Sequence, residues 1–230
     1  SNTLTFSEDG LSITDGNFGR MSAVKAVQTK DGTNYVNLGT AAATAGLATL
    51  VGGTGSDTID ASAFNAAITI NSGDGADLIT GSSTAANRIL AGAGNDSVTL
   101  AGAANIAAAT LVGGAGTDTL ALGAAATVAD TDFQNISEVE VLRAASTGAS
   151  SLTVGLKAQA SGIRTVVGGD ANDTLDAGKF TTGVTLSGGQ GDDSLVVSTG
   201  ANLGQGSVSG GTGTDTLSFA VDQLSVTDAD

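Results

Sequence analysis

Aliphatic residues recur in pairs on either side of a polar, glycine-rich corner. Leu50, Ile70, Ile89, Leu111, Val166, Leu186 and Val208 each stand seven places before an aspartate. Those aspartates are Asp57, Asp77, Asp96, Asp118, Asp173, Asp193 and Asp215. Two places after them come Ile59, Ile79, Val98, Leu120, Leu175, Leu195 and Leu217. Around each corner the chain alternates apolar with polar, as in Thr58-Ile59-Asp60 and Ala67-Ile68-Thr69-Ile70. A period of two is the mark of a strand with one buried face.

The aspartates are spaced by 20, 19 and 22 residues, then 55, then 20 and 22. A repeat near 20 residues is too short for a compact domain and fits one turn of a solenoid. One period holds two short strands and two corners. Successive turns then pair as parallel strands about 4.8 Å apart. The predicted fold is all-β: a right-handed parallel β-solenoid (β-roll or β-helix) with coils of about 20 residues. The alternation in Ile136-Ser137-Glu138-Val139-Glu140-Val141-Leu142 predicts one further strand.

A longer period overlies the short one. Phe18 to Val51 reads like Phe133 to Val167, with Ser22 matching Ser137, Val24 matching Val139 and Gly46 matching Gly162. Two large units are therefore expected over residues 1–116 and 117–214, with a third opening at 215–230. Each begins with coils lacking the glycine corner, about 3–50 and 119–166, which read as the same solenoid without metal. The glycine corners occupy about 51–116 and 167–214. The chain reads as a segment of a longer repetitive protein.

The chain has 230 residues, a formal net charge of −15 and a pI near 4.1, with no Cys, His, Pro or Trp. The lack of a basic surface argues against nucleic acid as a partner. No apolar stretch is long enough to span a bilayer, so membrane insertion is not expected. Without His or Cys, the common acid–base and thiol chemistries have no residues to work with, and no enzyme activity or catalytic residue is expected. Asp130 and Asp132 lie close enough to suggest a carboxylate pair, but read as solvated loop residues.

The corners themselves carry chemistry. In Gly52-Gly53-Thr54-Gly55-Ser56-Asp57, glycine permits a tight turn whose carbonyls can point inward, and the sixth residue adds a carboxylate. Calcium takes six to eight oxygen ligands of these two kinds. Two turns stacked at sheet spacing can supply them together. Four stacked turns give three interstices and three give two, or about five ions. In the competing reading the aspartates only hydrogen-bond the turn backbone. Against it, carboxylates stacked at this spacing repel one another, and a cation relieves that repulsion.

Here the chain resembles the repeats-in-toxin (RTX) family, whose nonapeptide is G-G-x-G-x-D-x-U-x. The resemblance implies a parallel β-roll with calcium between adjacent turns. It implies the seven aspartates above as ligands. It also implies carbonyls of turn glycines: Gly53, Gly55, Gly73, Gly75, Gly92, Gly94, Gly114, Gly116, Gly169, Gly189, Gly191, Gly211 and Gly213. The chain departs from the family pattern in its period, since RTX runs repeat every nine residues and carry metal on both edges. A period of 20 places metal on one edge only. Some turns are degenerate: Ser72 and Ala91 replace the first glycine, and Ala171 the one at the fourth place. The Ala/Thr/Gly/Val-rich texture is similar to RTX-type surface-layer proteins of Gram-negative bacteria, which leave the cell by type I secretion. The function so implied is a calcium-stabilised structural segment of a large secreted or cell-surface protein. It would build an extracellular layer or filament with copies of itself. The alternatives are the stalk of an RTX adhesin and the accessory module of a secreted enzyme.

Overall fold

The computed structural model describes residues 2–84, 86–198 and 205–220. Two compact units emerge, one formed by Ser1–Ala121 with Asn135–Val139, the other by Leu122–Gln134 with Glu140–Asp230. The recurrence of Leu11–Asp15 that the sequence suggests at Leu224–Asp228 lies outside the described residues.

In the first unit two parallel sheets face each other. One runs Thr3–Thr5, Ala26–Gln28, Thr49–Val51, Thr69–Asp74, Arg88–Ala93, Thr110–Ala115 and Ile136–Ser137 in spatial order. The other runs Ser12–Ile13, Tyr35–Asn37, Thr58–Asp60, Leu78–Thr80, Ser97–Leu100 and Thr119–Leu122. The chain crosses from one sheet to the other and back in every coil, so each strand pairs with its counterpart one coil away. The fold is a parallel β-solenoid.

The register explains the aliphatic pattern. Val27, Leu50, Ile70, Ile89 and Leu111 are partners in an unbroken column. Ile13, Val36, Ile59, Ile79 and Val98 form the facing one. All ten are buried. Burial of each such side chain stabilises the fold by about 1.5–3 kcal/mol, and aliphatic columns fill a gap too thin for many aromatics. Four phenylalanines, Phe18, Phe64, Phe133 and Phe180, fill the wider corners and are fully buried.

The second unit repeats the plan. Val141–Arg143, Thr165–Val167, Thr185–Gln190 and Ser207–Thr212 form one ladder. Thr127–Val128, Ser151–Thr153, Thr174–Ala177, Ser194–Val197 and Thr216–Phe219 form the other. The coils without glycine corners are stacked in register with the rest in both units, for example Leu4 on Val27 and Leu152 on Leu175.

Three features depart from the sequence expectation. First, three corners are short helices: α1 (Thr40–Ala45), α2 (Ala103–Ala108) and α3 (Leu156–Ser161). Their alanine-rich sequences favour helix. Gly46 and Gly162, at φ +95° and +112°, end α1 and α3 by turning the chain left-handed. Second, the run from Ile136 is two strands, Ile136–Ser137 and Val141–Arg143, divided by a corner at Glu138 with φ +56°. The bend breaks the period of two, since the buried residues Ile136, Val139 and Leu142 are three apart. Third, Asp130 is no solvated loop residue. Its Oδ1 accepts hydrogen bonds from the N–H groups of Gly155 (2.8 Å) and Ala158 (2.9 Å) at the start of α3. Asp132 accepts from Ala129 N–H at 2.9 Å.

Candidate metal centre

The seven turn aspartates stand where the strand of one sheet has just turned toward the other, and they point inward. Asp57, Asp77, Asp96, Asp118, Asp173 and Asp193 are buried; Asp215 is half-buried. Within the first unit Asp57, Asp77, Asp96 and Asp118 form one row. Asp173, Asp193 and Asp215 form a row in the second.

Each carboxylate is tied to its neighbour by one hydrogen bond. The N–H of Asp57 donates to Asp77 Oδ1, that of Asp77 to Asp96, and that of Asp96 to Asp118, each at 2.8 Å. The N–H of Asp173 donates to Asp193 (2.7 Å) and that of Asp193 to Asp215 (3.0 Å). The residue before the aspartate builds a second ladder running the other way. Ala76 N–H donates to Ser56 Oγ, Thr117 to Asn95 Oδ1, Asp192 to Asn172 Oδ1 and Thr214 to Asp192 Oδ1, at 2.7–3.1 Å.

Glycine is required where turns touch. Gly73, Gly92 and Gly114 all have φ between +106° and +111°, a region that L side chains rarely enter. A Cβ on Gly92 would overlap the carbonyl oxygen of Gly73, and one on Gly114 that of Gly92. The same contact recurs from Gly53 to Gly73 and along Gly55, Gly75, Gly94 and Gly116. In the second unit it runs along Gly169, Gly189 and Gly211, and from Gly191 to Gly213. The glycine carbonyls are thus aligned along the turn edge. Some also accept backbone hydrogen bonds: Asp74 N–H donates to Gly53 O (3.1 Å) and Gln190 N–H to Gly169 O (3.0 Å). A carbonyl oxygen has two lone pairs and keeps one for a further partner.

Burial sets the electrostatics. Desolvation pushes the carboxyls of Asp57, Asp77 and Asp193 upward, against the backbone donors that lower them. Asp96 is pushed up to about 6 by burial, with the neighbouring charges of Asp77 and Asp118 adding to it. The second carboxylate oxygens of Asp77, Asp96 and Asp193 are buried and have no hydrogen-bond partner. Buried polar atoms normally have one. Among the described residues no three acidic side chains converge on one point. The rows present carboxylate oxygens, and the same turns carry aligned backbone carbonyls. Such an all-oxygen set suits a hard cation of the calcium type.

Asp74, Asp170 and Asp192 are exposed and do not join the buried row. Asp170 accepts from Gln190 Nε2 at 2.9 Å. Two further rungs carry no aspartate. Asn34 and Ser150 occupy the aspartate place in the preceding coils, donating N–H to Asp57 Oδ1 (2.7 Å) and Asp173 Oδ1 (2.6 Å). A signal for the first was present, since Lys30-Asp31-Gly32-Thr33-Asn34-Tyr35-Val36 copies the spacing of Gly53 to Ile59 with asparagine for aspartate.

A parallel β-solenoid with a buried acidic row at its glycine turns defines a class of cation-stabilised repeat fold. A family model, the RTX calcium-binding nonapeptide repeat (four copies), matches residues 43–65, 82–106, 109–126, 165–180 and 184–203. These segments carry RTX repeats, and calcium is the cofactor of such repeats. The matched segments contain Asp57, Asp96, Asp118, Asp173 and Asp193, while Asp77 and Asp215 fall outside them. No curated protein and no solved structure matches the chain. Repeats of this kind are structural elements of secreted bacterial proteins, and the β-roll is a non-catalytic domain type. Among the described residues no helix is long and apolar enough to cross a membrane.

Proposed function

We propose that Asp57, Asp77, Asp96, Asp118, Asp173, Asp193 and Asp215, with the turn-glycine carbonyls of their rows, hold calcium on one edge of each unit. The segment is architectural and works at the cell surface or outside the cell, joining copies of itself in a surface layer or filament. It carries no catalytic residue, inserts in no membrane and binds no nucleic acid. Residues 1–116 and 117–214 are duplicated units, and 215–230 opens a third.

The observation that carries this reading is the buried carboxylate row with oxygens left unpartnered at Asp77, Asp96 and Asp193. A buried, uncompensated negative charge is costly. Bound calcium would neutralise the row and so couple metal concentration to folding. In a cytoplasm poor in free calcium the glycine coils would stay open and fit to be exported; outside, they would close.

Titration calorimetry of the calcium-stripped chain, followed in parallel by circular dichroism, tests the proposal. Calcium is expected to bind at several sites and to raise the β signal. Absence of binding heat, with a spectrum indifferent to calcium, would falsify it. Light scattering with and without calcium tests self-association.

A further inference from the structure

We propose that the opening coils of the first unit, residues 3–50, fold without calcium and act as the template on which the calcium turns stack. Asn34 takes the ion's place in their turn, and Asp15 locks the coil. Asp130 has the part of Asp15 in the second unit, where the backbone N–H of Ser150 supplies the first rung. The claim rests on the calcium reading above and adds where in each unit the metal is not needed.

The first observation is the Asn34 amide. Its Nδ2 donates to Lys30 O (3.0 Å), Gly32 O (2.9 Å) and Asp57 Oδ1 (2.9 Å). Tyr35 pairs with Thr58, so Lys30 and Gly32 stand one coil before Gly53 and Gly55. The carbonyls of Lys30 and Gly32 are in fact among the nearest atoms to Gly53 and Gly55. A neutral NH2 group thus binds the two carbonyls that correspond to proposed calcium ligands, and binds the first carboxylate of the row as well. Asn34 is buried, and its Oδ1 accepts from Leu11 N–H at 3.1 Å. This turn is satisfied by its own side chain.

The second observation is the Asp15 clasp. Asp15 Oδ1 accepts from Gly39 N–H and Ala42 N–H, both at 2.8 Å, and Oδ2 from Ala41 N–H at 3.1 Å. The carboxylate closes a loop of 24–27 residues, one full coil, using only backbone donors. Hydrogen bonds to a charged acceptor are the strong kind. A Cβ on Gly39 would lie 2.9 Å from the Asp15 carboxyl carbon, so the clasp needs glycine there. Asp130 makes the same three-donor clasp on Gly155, Lys157 and Ala158. In the second unit the neutral Ser150 presents the first rung to Asp173.

Hydrogen exchange on the whole chain, read by mass spectrometry in calcium and in EGTA, is the test. In EGTA the amides of Leu11, Gly39, Ala41 and Ala42 are expected to stay protected, while those of Asp77 and Asp96 lose protection by about tenfold or more. Asn34→Asp is expected to make protection of Leu11, which donates to the side chain at position 34, depend on calcium. Gly39→Ala, which displaces the carboxylate without removing it, is expected to speed exchange at Ala41 and Ala42 in EGTA. Uniform loss of protection in EGTA overturns the template and leaves the calcium reading standing. Uniform retention overturns both. Asn34→Asp with unchanged exchange overturns the role given to Asn34.

Discussion

Asp96 is squeezed between two demands. Its Oδ1 serves the backbone of the coil before it, and its other oxygen is buried without a partner. Asparagine would keep the accepting oxygen and lose the charge. Asp96→Asn is therefore expected to raise the melting temperature in EGTA and to lower it in calcium, a change of sign that a purely structural aspartate would not show. Gly92 poses a steric problem instead. At φ +110°, with the Gly73 carbonyl against its Cα, it has no room for a methyl group. Gly92→Ala is expected to cost about 2 kcal/mol or more, in calcium and in chelator alike, by thermal melts. The aspartates and glycines were legible in the sequence because their phase with the aliphatic columns is constant. Most of the hydrogen bonds they make were not, since each carboxylate accepts from a backbone N–H one coil away, which no spacing of side chains reveals. Asp173 Oδ2, accepting from Gly169 N–H at 2.5 Å, also bonds within its own turn. Asn34 escaped for a different reason: asparagine in place of aspartate, with lysine for glycine, hides a turn of the same geometry.

At the scale of elements, the sheets followed from the aliphatic period, but the corners did not. Coils vary from 19 to 22 residues between the aspartates of one row, and the extra residues are taken up in corners. One such corner is α2, which lies between Asp96 and Asp118 in a coil of 22. The stacked row also gives the metal-free protein a distinctive pH response. The Asp96 carboxyl rises from an ordinary 3.8 to about 6 in the fold. Between those values the folded chain holds more protons than the unfolded one, so stability falls as pH rises through the window and the loss is complete above about 6. Asp15 works in the opposite direction. Burial would raise it, but its three backbone donors together outweigh burial and hold it below 3.8. Its contribution is present above that value and lost at lower pH. Melts in EGTA are therefore expected to show greatest stability near about pH 4, falling toward neutrality. Saturating calcium is expected to flatten the neutral side.

For the molecule as a whole, each unit is a sum of near-equal layers, and stability in such folds comes from neighbouring layers alone. A complete coil should then be removable. Excision of residues 78–96 leaves Asp77 followed by Ser97 and keeps every column in phase. The shortened chain is expected to fold in calcium with the same dichroism per residue and about one bound ion fewer. Cutting half of that interval is expected to abolish folding of the first unit, since a half coil brings the wrong sheet into line. The two polar ladders at the turns explain why whole layers are exchangeable. One passes a hydrogen forward along each row, and the other passes one back wherever the residue before the aspartate has a side-chain acceptor, as Ser56, Asn95, Asn172 and Asp192 do. A lineage could therefore adjust the reach of such a segment as a mason adjusts a wall, by the course, with no new joint to invent.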